Sequence, residues 1–285
     1  MEKKAYEAYY YEPKSVGAMQ SDGKEKLRQK KQKKGIRTGR ILFGIAILIL
    51  WEVSAMCGWI DDYYWSSPSL IVQTALVQWK EKNLAYDIYF TSMSTIGGFL
   101  AGTLGGAVLG LSFWWSKTFA KIFEPYLVMF NAVPKLALAP ILIVLFGIGF
   151  SSKVILAFLM TVISCALATV SGVENVDESM ETLLYSLGAT RWQVFGKVVV
   201  PAVLPWMLGS LRINISLALA GAIVGEFIAS GHGLGRMVIY AGTILDTTLV
   251  WVGVIVLSLL AMVMYLAVVE LEKWMTEHLA IYRKA

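Results

Sequence analysis

Apolar residues along this chain gather into long runs, and a helix that crosses the hydrocarbon core of a bilayer needs roughly 20 of them. Residues 41–60, "ILFGIAILILWEVSAMCGWI", form the first run. Further runs cover about residues 89–115, 119–148, 153–170, 198–228 and 248–269, the third with Pro134 and Pro140 inside it. The pattern predicts an all-α membrane protein with six transmembrane helices, divided into an N-terminal arm over 1–40 and a six-helix domain over 41–285. Six crossings put both termini on one side.

Composition agrees with that reading. With 57% hydrophobic and 16% charged residues, the 285-residue chain is depleted in the charge that a soluble domain carries. Ten Trp and thirteen Tyr suit the water interface of a bilayer, and those in "DDYYW" and "FWW" stand near the ends of runs as expected anchors. Cys57 and Cys165 both lie within apolar runs, with neither a disulfide framework nor metal spacing, and are expected to be buried thiols. His232 and His278 supply too few ligands for a zinc site, so no metal site and no metal enzyme are expected.

Positive residues settle the sidedness, because those in short flanks stay cytoplasmic. Residues 1–40 hold twelve of the 25 Lys and Arg, nine of them in the run "KEKLRQKKQKKGIRTGR". Lys117 and Lys121 fall between runs two and three, and the segment around Asp61 and Asp62 has no positive bias. Both termini are therefore expected in the cytosol, together with residues 171–197. The first apolar run follows forty polar residues and is too long for a signal-peptide core, so no cleavable leader is expected. Beside a span, the basic arm is read as an orienting and lipid-binding segment in preference to a nucleic-acid contact.

One cytosolic stretch differs from its surroundings. "VDESMETLLYSL" places Met180, Leu183, Leu184 and Leu187 at helical spacing among acids, which predicts a short amphipathic helix. Gly188 follows, a residue free to take positive φ and end a helix sharply. "ATRWQVF" then forms a second short helical candidate, with Trp192 and Phe195 beside Arg191, suited to docking in a partner's groove. Insertion of the two rings into the membrane surface is the competing reading. Pro201 and Pro205 lie where the chain re-enters the membrane, where proline is tolerated in a first helical turn.

Gly188, nine residues and then "VVVP" ending at Pro201 resemble the Gly-x9-Ile-x-Leu-Pro part of the EAA loop of ATP-binding cassette importer permeases. The acidic position of that motif falls on Thr182, Leu183 and Leu184 stand at its two alanines, and Glu181 lies one place early. "SSPSLIVQTA" (66–75), "AVPKLALAPILIVLFGIGFSSK" (132–153) and "GSLRINISLALAGAIVGEFIASGHGLG" (209–235) resemble the nitrate, taurine and alkanesulfonate branch. The resemblance implies a type I importer permease fold with a cytosolic coupling loop over about 172–200, in the plasma membrane of a prokaryote. It implies a hinge at Gly188, a coupling helix from Ala189 through Thr190, Arg191 and Trp192 to Phe195, and coupling roles for Glu181 and Pro201. The implied partners are a second copy of the chain, a dimer of cytosolic cassette ATPases carrying ATP and magnesium, and an extracytoplasmic substrate-binding protein. The branch also includes importers of thiamine precursors and riboflavin. No G-x-x-x-x-G-K-[ST] occurs, so the chain itself lacks a Walker phosphate cradle and is not expected to be an enzyme or to bind a cofactor.

Polar residues inside the runs are the candidates for a translocation path. Asn131, Pro134 and Lys135 break the third run where a charge is expensive, marking a path or a snorkelling lysine at an interface. Arg212 lies about 16 Å along a helix from Pro201 at 1.5 Å per residue, facing a cavity or dimer contact, or else a local partner. Glu226, and likewise Glu52 in the first run, lines such a path or needs only an interfacial water. Gly98, Gly102, Gly106 and Gly110 recur every four residues and give one helix face a close approach to another helix, within the subunit or across a dimer. The expected function is a gated path, without covalent chemistry, for a small polar solute, an organic or inorganic anion of the sulfonate, taurine or nitrate kind. A vitamin precursor such as a thiamine pyrimidine or riboflavin is the alternative within the class. From other classes, an ion-coupled secondary transporter would more often show paired intramembrane acids or internal repeats, and a membrane scaffold would leave Pro134, Lys135 and Arg212 without a task.

Overall fold

Long helices account for most of the chain in the computed structural model, which describes residues 35–284 except 37, 41 and 82. The basic arm expected over 1–40 lies, up to residue 34, outside the described residues. The chain divides into two units, Met1–Asp62 and Tyr63–Ala285. In the first, helix α1 (Thr38–Met56) is long and apolar enough to cross a membrane. Cys57, expected to be buried, is exposed just beyond it.

The second unit contains α2 (Pro68–Glu81), α3 (Leu84–Trp115), α4 (Lys117–Ala132), α5 (Ala139–Phe146) and α6 (Phe150–Glu174). After them come two short helices, α7 (Glu178–Ser186) and α8 (Arg191–Val194), then α9 (Val200–Ile228), α10 (Leu234–Thr243) and α11 (Thr247–Lys284). Among the described residues, five helical stretches are long and apolar enough to pass as single spans, and α4 with the stretch Lys135–Phe146 passes as a sixth only as a pair bent by 81°. The third apolar run is thus broken. Pro134 offers no amide to continue α4 and holds Val133 in extended backbone at φ −62° and ψ 132°.

The core is a three-helix seam of α3, α6 and α9. Along α3, the glycine face at 98, 102, 106 and 110 meets Ala157, Thr161, Cys165 and Thr169 of α6 in step, so the two helices point the same way. A Cβ on Gly106 would lie 2.5 Å from the Val162 carbonyl oxygen and 2.7 Å from Cys165 Cβ, which leaves no room for any side chain. Helix α9 runs opposite, with Gly221 against Ala157 and Gly225 against Lys153, while Gly172 lies against Val203. Since α3 and α6 are parallel, the bent α4–α5 pair must carry the chain back between their ends. Phe99, Leu211, Ile215 and Leu219 fill the seam, and Met264 and Val268 of α11 close it. Hydroxyls buried in the seam donate to carbonyls one turn back, as Thr95 does to Thr91 at 2.7 Å and Thr169 to Cys165 at 2.8 Å. That satisfies polar groups that have no water to bond. The buried Cys165 thiol donates to the Thr103 carbonyl at 3.2 Å.

Candidate functional site

The segment between α6 and α9 forms an elbow whose every joint has a local cause. Asp177 caps α7, accepting from the Ser179 amide at 2.9 Å. Hydrogen bonds from the Ser179 side chain and backbone hold its carboxyl below the usual carboxylate range. Helix α7 ends at Gly188, where φ is 81°. Its amide donates to the Tyr185 carbonyl at 3.0 Å and the Ala189 amide donates to Leu184, the paired bonds of a Schellman ending that needs a left-handed residue. Two residues on, Thr190 opens α8 with a capping box: its amide donates to Gln193 Oε1 at 2.7 Å and its hydroxyl accepts from the Gln193 amide. A short helix over 178–186, ended sharply at Gly188 by a positive φ, therefore matches the sequence-based expectation.

The continuation differs from that expectation. Helix α8 passes into a π-helical turn, Phe195–Val199, and then directly into α9, so α8 and the span are consecutive along Arg191–Ile228 with the π turn as a break in their regular bonding. Pro201 does not open a free first turn. The Val200 amide bonds five residues back to Phe195, and the wider turn accommodates a ring that would press on a carbonyl in an unbroken α-helix.

Two consecutive tryptophans at the end of α3 support the elbow, a role that their reading as interfacial anchors missed. The Trp115 and Trp192 ring centroids are 4.4 Å apart, and Phe195 stands 5.3 Å from Trp115 and 5.4 Å from Trp114. The Arg191 guanidinium lies 5.3 Å from the Trp114 ring and 5.0 Å from the Trp115 ring, and donates to the Trp115 carbonyl at the C-terminus of α3. Trp114 Nε1 donates to Glu181 Oε1 at 2.9 Å, so this acid is turned toward its own chain. Phe195 likewise packs inward, whereas Trp192 is 70% exposed. Below them Val194, Val199 and Val203 are fully buried. Met180 and Leu183 of α7 and Leu187 just after it remain 53%, 54% and 74% exposed, which leaves apolar side chains at helical spacing uncovered on the elbow, as Trp192 is.

The opposite end of the seam is held by a polar clasp. Glu226 is 1% exposed and needs no interfacial water: Thr91 Oγ1 donates to its two oxygens at 2.8 and 3.0 Å, and the Gly235 amide donates at 2.8 Å. Asp87 accepts from the Gly233 amide at 2.7 Å, and Thr91 Oγ1 accepts from the Leu234 amide at 2.9 Å. Lys153, fully buried, donates to the carbonyls of Ala229 and Ile148. Gly233, at φ 113°, lies so close that any Cβ would meet the Glu226 carboxyl. Together these groups pin residues 229–235 to α3, α6 and α9.

The remaining path candidates fall in two separate places, Arg212 on α9 and Asn131 with Lys135 at the α4–α5 bend. Arg212 forms a bidentate pair with Glu272 of α11, with Nε–Oε2 at 2.6 Å and a second bond at 3.1 Å. At the α4–α5 bend, Lys135 Nζ donates to the Asn131 carbonyl at 3.1 Å and side-chain oxygen at 3.3 Å, satisfying the end of α4 that Pro134 leaves open. Asp87, Thr91 and Lys153 escaped the sequence reading. Lys153 carried a signal, a cation at the margin of an apolar run, but Thr91 carried none.

Residues 98–277 match the family described as binding-protein-dependent transport system inner membrane component. The chain is 32% identical to the formylaminopyrimidine transport permease protein ThiX of Halalkalibacterium halodurans, over 81% of this chain and 92% of that one. It is 34% identical to the taurine transport system permease protein TauC of Escherichia coli, over 62% of this chain and 64% of that one. The structure of the methionine ABC transporter MetNI in an inward-facing conformation superposes with a TM-score of 0.59 at 16% identity, covering 67% of this chain and 94% of that one. A secondary transporter and a scaffold are thereby set aside. A seam of close-packed spans, an elbow with uncovered apolar side chains and a match over most of the chain agree: the protein belongs to the binding-protein-dependent inner membrane component family, the non-catalytic permease subunits of ABC importers.

Proposed function

We propose that this permease, in the plasma membrane with both termini in the cytosol, forms with a second copy of itself the path for a small polar solute. An extracytoplasmic binding protein delivers the solute at the clasp end, and a dimer of cassette ATPases, carrying ATP and magnesium, engages the elbow. The observation that carries this reading is the exposure of the apolar side chains of Met180, Leu183, Leu187 and Trp192, held on a scaffold whose own residues are buried. An apolar surface on the cytosolic side of a permease needs a protein partner. Closure of the ATP-bound cassettes would shift the subunit pair toward an outward-open state, and hydrolysis would return it, a population shift driven by the partner's ligand.

For the solute, the organic-anion reading draws on the likeness to the taurine permease. A pyrimidine is the second reading, favoured by the wider match to the formylaminopyrimidine permease and by Arg212, whose charge is met by Glu272. The test is affinity purification from the native membrane, assay of co-purifying ATP hydrolysis, and calorimetric titration of the co-purifying binding protein with taurine and with a formylaminopyrimidine. ATPase with taurine binding supports the anion, ATPase with pyrimidine binding the second reading, and no ATPase on an intact chain rejects the importer.

A further inference from the structure

We propose that Trp114 and Trp115, with Arg191, form a clamp that transmits the displacement of the elbow into α3, making the tandem tryptophans positioning residues for energy coupling. The proposal rests on the importer reading above. Its starting point is the unequal attachment of α8. Along the chain toward α7, the link is Gly188, with nothing within 4 Å of where a Cβ would stand. Along the chain toward α9, it is the π turn, whose wider hydrogen bonding commonly marks a functional break in a helix. Both backbone joints are thus the pliant kind.

The lateral link is of another character. Three elements of the elbow converge on two adjacent residues: Glu181 of α7 accepts from Trp114, Arg191 of α8 lies over both rings while Trp192 packs at a tilt against Trp115, and Phe195 of the π turn packs against both rings. The Arg191 guanidinium also occupies a carbonyl left open at the end of α3, where a cation is favoured by the helix dipole. A push on the exposed ring of Trp192 therefore meets Trp115 directly. From there it enters a helix seated on α6 through glycines without slack, where a rigid-body displacement is the response of least cost. A lipid-facing anchor would need none of these contacts, and a plain structural prop would not gather all three parts of the moving segment.

The test uses the complex as purified from its native membrane, reconstituted in liposomes with its binding protein, and compares the unmodified chain with W115A, R191Q and W114F. Three quantities are read: ATPase bound per permease, ATP hydrolysis, and ATP hydrolysed per solute imported. W115A and R191Q are expected to keep bound ATPase within about two-fold while hydrolysis per imported solute rises about ten-fold, the factor for one lost cation–ring or ring–ring contact. W114F, which loses only the bond to Glu181, is expected to raise it less. Uptake and hydrolysis falling in proportion, or a ratio unchanged in R191Q, would overturn the clamp while leaving the importer reading intact. Should W115A fail to fold, R191Q decides alone. Absence of ATPase on the unmodified chain would remove the importer reading and the clamp with it.

Discussion

Thr91 is the joint on which the clasp turns, because one hydroxyl donates to Glu226 and accepts from the Leu234 amide. Thr91→Val keeps the shape and removes both bonds. Thr91 and Leu234 are both fully buried, so water does not replace what is lost. An unsatisfied buried amide costs about 1–3 kcal/mol and a carboxylate deprived of one donor at least as much, giving about 3 kcal/mol for the pair after partial relaxation. For a chain of this size that lowers the melting temperature by about 6–12 °C. The assay is fluorescence-detected thermal unfolding in detergent at one fixed scan rate, since membrane proteins commonly melt irreversibly. Thr91→Ser is the control: it retains the hydroxyl, loses one methyl group worth about 0.8 kcal/mol, and is expected to fall by only about 2–3 °C. A Thr91→Val melting temperature within about 2 °C of the unmodified chain would refute the reasoning. So would a Thr91→Ser chain as unstable as Thr91→Val, because the hydroxyl would then not be what matters.

Gly188→Val places a β-branched side chain at φ 81° and is expected to uncouple ATP hydrolysis from uptake in reconstituted liposomes, with about 1–3 kcal/mol of strain at the hinge; normal uptake would count against the elbow. Gly106→Val forces a side chain onto the Val162 carbonyl and Cys165, and its overpacking of about 1–3 kcal/mol or more is expected to lower the melting temperature far more than the same change at Gly209, which has open space. Arg212→Glu should impair folding yield, and the exchanged pair Arg212→Glu with Glu272→Arg should recover it, which size-exclusion profiles would report. Asp177→Ala is expected to fray α7 and weaken ATPase retention on an affinity column, whereas Asp177→Asn retains the cap. Because the Asp177 carboxyl is held below its ordinary range, its capping contribution is full above that range and is lost only as pH falls through the depressed value, so retention should stay flat across neutral pH.

The spans and the elbow were legible because each rests on a repeating or local signal. Apolar run length marks a crossing, four-residue glycine spacing marks a face, and the helix ending at Gly188 acts on its own neighbours within a turn. The clasp was not legible for the corresponding reason. Thr91 and Glu226 are 135 residues apart, and a threonine in an apolar helix reads the same whether it bonds its own backbone, as Thr95 does, or a distant carboxylate. Glu226 and Arg212 stood out as costly charges, but which groups satisfy them is decided by packing between helices. The second role of the tryptophans escaped for a subtler reason: an indole at the end of a span is equally suited to a lipid interface and to a partner segment of its own chain, and composition alone does not separate the two.

Both networks meet on one helix. Thr91 and Trp114 are about 35 Å apart along α3 at 1.5 Å per residue, so a single rod carries the clasp at one end and the clamp at the other. Between them lies the glycine face, where contact with α6 is backbone to backbone and little side-chain compliance remains to absorb a displacement. Helix α9 is tied to the same two ends, by Glu226 at the clasp and by its continuity with α8 at the elbow, yet a π turn interrupts it at the elbow side. The two routes out of the elbow are thus unequal, one pliant along α9 and one stiff along α3. A perturbation at the tandem tryptophans should therefore alter coupling more than one in the π turn: W115A is expected to raise ATP hydrolysed per solute imported more than Gly196→Ala, whose added methyl meets open space, and the reverse order would refute the stiff route along α3.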